Sequence, residues 1–261
     1  MKKLIAILLS TVWITAHGQI SVRELVAKVN QRNEGQQLTQ KVNIKMVDKR
    51  GKTQERSLVW YRKDVPDQRK SIIFYESPAN VQGTAFLTYD YQTQEKEDDQ
   101  WLYLPALRKT RRISAANRGD YFLGTDLTYE DVKLAAKIGA NDYNFKTIGE
   151  KDENGFSLYQ LEGTPKNNRI AKELGYGKVE YLIDQNILMP RKITYWDIAG
   201  NKLKTVEFKD IKQIQGIYTM HRIEAVNFKT NHKTRFFFND PDYQSELADD
   251  LFSEQAMVRG I

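Results

Sequence analysis

Apolar positions recur every three to four residues near the start of the chain and every second residue through most of the rest. Val22, Leu25, Val26 and Val29 stand at i, i+3, i+4 and i+7, which predicts one amphipathic helix over 21–32. Ser21 and Glu24 have capping-box spacing and mark its start. From about residue 37 the period drops to two. Residues 39–47, 54–62, 70–75 and 84–91 are rich in β-branched and aromatic side chains, and turn residues such as Asp48-Lys49-Arg50-Gly51, Pro66-Asp67 and Ser77-Pro78 separate them. The same rhythm resumes over 144–148, 157–162, 178–183, 191–196, 202–211, 218–229 and 233–238. Sequential strands joined by short turns predict an antiparallel meander. No linker or low-complexity tract divides it, so residues 19–261 read as one domain.

Two departures from alternation change this picture. Ile72-Ile73-Phe74-Tyr75, Trp101-Leu102-Tyr103-Leu104 and Phe236-Phe237-Phe238 have no polar alternate. A half-exposed strand should alternate, so these strands need cover on both faces. The middle, 114–139, loses the strand period, and Asp126 or Thr128 can cap a short helix there; 245–256 reads as a terminal helix with Leu247, Leu251 and Phe252 on one side. The expected fold is mainly β with some helix (α+β): a single large curved antiparallel sheet, a helix before it and a helical plug or lid inside it. From pattern alone, an apolar cavity and a solid core both remain open.

The N-terminus sets the compartment. Lys2 and Lys3 precede an apolar run to Ile14, and Ala16-His17-Gly18 offers small residues for cleavage, so residues 1–18 read as a secretory signal peptide. With its two lysines gone, the net charge falls from +6 to +4. That modest surplus on an exported chain argues against nucleic acid as a partner. The absence of cysteine rules out disulfides, a thiol-linked lipid anchor and Cys-ligated metal. His221 and His232 are isolated, and no G-x-S-x-G, phosphate loop or H-E-x-x-H motif occurs. No cofactor, metal site or catalytic residue is expected. Asp126, Glu130 and Asp131 could form a carboxylate site, but acids at a helix start more commonly cap it in solvent. Arg118-Gly119-Asp120 matches an adhesion tripeptide, and three-residue matches are common by chance.

Further elements in order carry a family resemblance. They are Trp60-Tyr61-Arg62-Lys63, the aromatic strand Trp101-Leu102-Tyr103-Leu104-Pro105, the basic run Arg108-Lys109-Thr110-Arg111-Arg112, and Gly124-Thr125-Asp126-Leu127-Thr128-Tyr129-Glu130-Asp131. The chain resembles the LolA/LolB-type outer-membrane lipoprotein-sorting proteins over most of its mature length. The resemblance implies a half-barrel closed by helices, with an apolar cavity that carries lipid or lipoprotein acyl chains across the periplasm of a Gram-negative cell. It implies an inner-membrane transporter as donor and an outer-membrane acceptor. It also implies an arginine on an early strand that holds the lid shut, for which Arg62 and Lys63 both stand. The well-studied carriers lack the Gly124–Asp131 element, which opens the cargo to other lipids.

On this reading Trp60, Phe74, Phe86, Trp101, Tyr103 and Leu104 belong to the apolar wall. Gly124, Asp126, Tyr129, Glu130 and Asp131 belong to the lid. Arg108, Lys109, Arg111 and Arg112 sit at the rim, where transient contact with a membrane surface or a partner is expected. The alternative is a non-enzymatic lipid sensor or adaptor for a membrane protein on the same scaffold.

Overall fold

The computed structural model describes residues 20–91, 96 and 98–261. Residues 1–18, expected from the sequence to be a signal peptide, lie outside the described residues. Ser21 caps α1 (Val22–Asn30): its hydroxyl accepts from Glu24 N at 3.2 Å, and Leu25, Val26 and Val29 are buried. Then come β1 (Gln37–Val47), β2 (Thr53–Val65), β3 (Gln68–Ser77), β4 (Ala85–Tyr91), β5 (Asp99–Leu104), β6 (Lys109–Arg112) and the short helix α2 (Tyr129–Leu134). After it run β7 (Tyr143–Glu153), β8 (Phe156–Pro165), α3 (Asn168–Leu174), β9 (Lys178–Asp184), β10 (Pro190–Trp196) and β11 (Lys202–Lys209). β12 (Lys212–Ile214), β13 (Ile217–Thr219), β14 (Arg222–Asn227), β15 (His232–Asp242) and α4 (Glu254–Arg259) complete the chain.

Thirteen strands form one open antiparallel sheet in the order β6-β5-β4-β3-β2-β1-β15-β14-β11-β10-β9-β8-β7, and β12–β13 is a separate hairpin. Two meanders meet where β15 returns to β1, with Val42 opposite Phe238 and Ile44 opposite Phe236. One consequence of this order governs the rest of the molecule. β6 and β7 follow each other in sequence but occupy opposite edges of the sheet. The connection 113–142 must therefore cross a whole face of the sheet. It does so with Phe122, Leu127, Tyr129 and Ile138 packed in one core with residues of β1, β2, β3, β9, β10, β11, β14 and β15.

The unalternating runs of β3 and β5 are explained by two separate covers, whereas in β15 Phe236 and Phe238 join the inner core and Phe237 joins neither cluster. In β3, Ile73 and Tyr75 join the inner core under the crossing segment, while Ile72 and Phe74 join a second cluster on the outer face. That outer cluster is covered by the chain's tail, through Leu247, Phe252 and Met257. Tyr89 Oη donates to Phe252 O at 2.6 Å and Lys63 Nζ to Leu247 O at 2.6 Å, fixing the tail in place. The tail's apolar residues are those expected, but α4 starts only after Ser253, whose hydroxyl accepts from Ala256 N. The 218–229 segment divides into β13 and β14 rather than running as one strand. Helix α3 falls where no element is expected, although Asn167 caps it and Gly175, at φ +75°, ends it with the usual signals.

Candidate functional site

The crossing segment begins at β6 and turns at Leu123 and Gly124, both at positive φ. Leucine in that region is strained, and Arg56 Nη1 donates to the Leu123 carbonyl at 2.5 Å, holding the turn from β2. Thr128 then starts α2 with a complete capping box: Thr128 Oγ1 accepts from Asp131 N at 3.1 Å, and Asp131 Oδ2 accepts from Thr128 N at 2.8 Å.

This helix start is not in solvent, contrary to the capped, solvated reading. Asp126, Glu130 and Asp131 are only 2, 4 and 8% exposed. The crossing brings them against the sheet, where Asp126 and Asp131 are matched. Lys204, fully buried on β11, donates to Asp131 Oδ2 at 2.5 Å and to Asp126 O at 2.9 Å. Tyr176 Oη donates to Asp131 at 3.0 Å. Thr234 Oγ1 and His232 Nδ1 both reach Asp126 Oδ2 at 2.6 Å. Glu130 pairs with Lys133 at 2.8 Å. These oxygens are occupied by structural partners, which leaves no free carboxylate pair for hydrolysis. Lys204 carries no motif, and only its burial reveals it.

Arg62 and Lys63 do not hold this segment. Arg62 donates to the carbonyls of Glu34 and Gly35, before β1, and Lys63 ties the tail. Arg56, six residues before Arg62, makes the contact to the crossing segment instead. The tripeptide Arg118-Gly119-Asp120 is also part of the fold. Arg118 binds Asp142 with two bonds of 2.8 Å, and a Cβ on Gly119 would lie 2.4 Å from Glu173 O.

Between segment and sheet lies an apolar cavity of about 60 Å³ whose walls include Val42, Trp60, Phe122, Leu127, Val206 and Phe238. That is small beside the roughly 300–1,000 Å³ of a pocket enclosing a drug-sized ligand. The segment fills most of the space its own removal would open. Of the wall residues expected from sequence, Trp60 lines the cavity. Phe86 is in the inner core, 5.1 Å from the Phe122 ring and 5.4 Å from that of Tyr129. Leu104 packs at the edge of that core. Phe74, Trp101 and Tyr103 do not face it. The pleat turns them to the outer face, beneath the tail.

The basic run is divided by the same pleat. Lys109 and Arg111 pair opposite Leu104 and Leu102 and share their inner side; Arg112 pairs opposite Trp101, on the outer side, and binds Asp99. Arg108, at φ +49°, ends the turn before β6. Because β6 is an edge strand, its cations also discourage a further strand from adding there.

A second, polar chamber of about 70 Å³ adjoins the first and shares Trp60, Ala135 and Met220 with it. Glu34 is its acidic centre. Arg69 reaches Glu34 at 2.6 Å, Arg32 binds it more closely, and Arg62 and Lys137 stand at 3.7 Å. Burial raises the Glu34 carboxyl, and Arg32, Arg69, Lys137 and Arg62 together overcome this and bring it from 4.5 down to about 2. A group depressed on folding contributes stability that is complete above its unfolded value and lost as pH falls through its folded value. The protein is therefore expected to lose about 3 kcal/mol through Glu34 between pH 4.5 and 2. Glu34→Gln should flatten that part of the acid-denaturation curve, measured as urea midpoints along a pH series; an unchanged slope would refute the assignment.

No helix among the described residues is long and apolar enough to cross a membrane. A family model described as "-like: Uncharacterized protein" matches residues 67–259. A domain from Vibrio parahaemolyticus assigned to outer-membrane lipoprotein sorting superposes with TM-score 0.81 at 27% identity, covering 90% of this chain and 97% of that one. A DUF1329 family protein from Desulfovibrio piger does so with TM-score 0.81 at 26% identity, covering 89% and 96%. A LolA superfamily protein from Nitrosomonas europaea shares the fold with TM-score 0.68 at 19% identity, covering 91% and 100%. No curated protein matches.

Proposed function

We propose an acyl-chain carrier, since this chain has the LolA-like fold and its structural neighbours include a domain assigned to outer-membrane lipoprotein sorting. The observation that carries the reading is an apolar cavity with a sheet on one side and the crossing segment on the other. The segment's apolar residues, among them Phe122 and Leu127, occupy the place an acyl chain would take. Exchanging one for the other keeps the inner wall covered, and each buried methylene of the incoming chain contributes about 0.8 kcal/mol. The polar contacts that hold the segment, from Arg56, Lys204 and Thr234, involve groups that water can satisfy once it opens. The protein on this reading is non-enzymatic and periplasmic, carries lipid or lipoprotein chains between an inner-membrane donor and an outer-membrane acceptor, and touches anionic bilayers through Arg108, Lys109 and Arg111.

Gentle purification followed by native mass spectrometry and lipid extraction should recover an acyl ligand, and a fluorescent fatty acid should bind. Val206→Phe, which fills the cavity, is expected to weaken that binding about tenfold or more. Reproducible absence of both ligand and uptake would remove the carrier reading. A stoichiometric membrane-protein partner recovered without lipid transfer between vesicles would point instead to a sensor on the same scaffold.

A further inference from the structure

We infer that the polar chamber binds the anionic head, carboxylate or phosphate, of an amphiphile whose tail enters the adjoining apolar cavity; this rests on the carrier reading and narrows its cargo. The chamber and cavity are continuous through Trp60, Ala135 and Met220. Ala135 stands at that junction with φ +49° and ψ −111°, a conformation that costs a non-glycine residue about 1–3 kcal/mol.

The charges around the chamber are unevenly placed. Arg32, Arg62, Arg69 and Lys133 line it, with Lys137 at the wall of the neighbouring cavity, while Glu34 is the one carboxylate among the described residues of the lining. Behind the wall, Asp64 takes Arg69 in a bidentate pair at 2.7 Å, and Asp98 and Glu130 take Lys133. Asp90 also lies near Lys133 and Lys137. Arg62 and Lys137 are left facing Glu34 at 3.7 Å, too far for a hydrogen bond. Burial, and then repulsion from Arg69, lower both cations from their ordinary values.

Two donors give the site its direction. Trp60 Nε1 and Arg62 Nε are buried and have no hydrogen-bond partner among the described residues. The two residues are i and i+2 on β2, so their side chains leave the same face of the strand. A buried donor without a partner costs about 1–3 kcal/mol. One oxyanion lodged between them relieves that cost and adds negative charge beside Arg62 and Lys137. An uncharged acyl ester or amide adds none. The favoured cargo is thus a fatty acid or an anionic phospholipid.

The test is displacement of a fluorescent fatty acid from the mature protein by palmitate, by hexadecanol and by inorganic phosphate. Palmitate is expected to compete at about tenfold lower concentration than hexadecanol or less. That preference should collapse towards one in both Arg62→Gln and Lys137→Gln. Lys137→Gln keeps the test decisive should Arg62→Gln fail to fold, since its ammonium stands 3.7 Å from its Glu34 partner. Equal competition by palmitate and hexadecanol in the unsubstituted protein overturns the head site and leaves the carrier reading standing. Failure of both to bind overturns the two together. Inorganic phosphate binding as tightly as palmitate, by calorimetry, overturns the amphiphile assignment in favour of a free-anion site.

Discussion

Replacing Lys204 by methionine is expected to cost about 3–5 kcal/mol of stability, which for a chain of this size lowers the melting temperature by roughly 6–20 °C. Lys204 is fully buried, and its ammonium is the cation against Asp131. It also lies 4.9 Å from the centre of the Tyr195 ring and 5.1 Å from that of Tyr176. Methionine fills similar space but leaves the Asp131 carboxylate inside the protein without counter-charge. The loss is thus the penalty of an orphaned charge rather than the strength of the pair. Adding Asp131→Asn removes that charge and keeps an acceptor for Thr128 N, so the double variant should recover more than half of the loss. Calorimetry decides it: a single variant melting within about 2 °C of the parent would mean that Asp131 does not depend on Lys204.

Phe122→Ala has a different expected signature. Its ring lies 5.1 Å from Phe86, 5.5 Å from Tyr129 and 6.4 Å from Tyr75, and the residue is 1% exposed. Truncation of such a ring costs about 3–5 kcal/mol. Phe86 and Tyr75 belong to the sheet, so Phe122 wedges the crossing segment onto it. Where the segment opens as a unit, the loss falls on the closed state alone, and the open population rises about a hundredfold or more. Amide exchange should rise across 113–142 while β1 and β15 keep their protection, and acyl uptake should accelerate by a similar factor. Exchange rising evenly in sheet and segment would identify a solid core rather than a lid.

Trp101, Tyr103 and Phe74 are as apolar as Phe86, and strand periodicity states that alternate residues part company without saying which set faces inward. The tail resolves it: Leu247, Phe252 and Met257 cover one set, and the crossing segment covers the other. The basic run was visible in sequence, but its division between two faces follows from its pairing with β5. Glu34 and Arg69 have ordinary sequence surroundings, and the turn from β2 to β3 brings Arg69 back towards Glu34.

Periodicity alone determined the first helix, most of the strands, their antiparallel order and the need for cover on both faces, because these depend on residues near each other in the chain. The return of β15 to β1, by contrast, joins residues some 190 positions apart. That pairing puts β6 and β7 on opposite edges and obliges 113–142 to cross between them. It carries Asp126 and Asp131 onto Lys204 and Thr234, sets Trp60 between two chambers, and turns a solvated-looking acidic helix start into a buried latch. Only tertiary structure decides such contacts, because side chains remote in sequence acquire their partners, their burial and their charge balance when the sheet assembles.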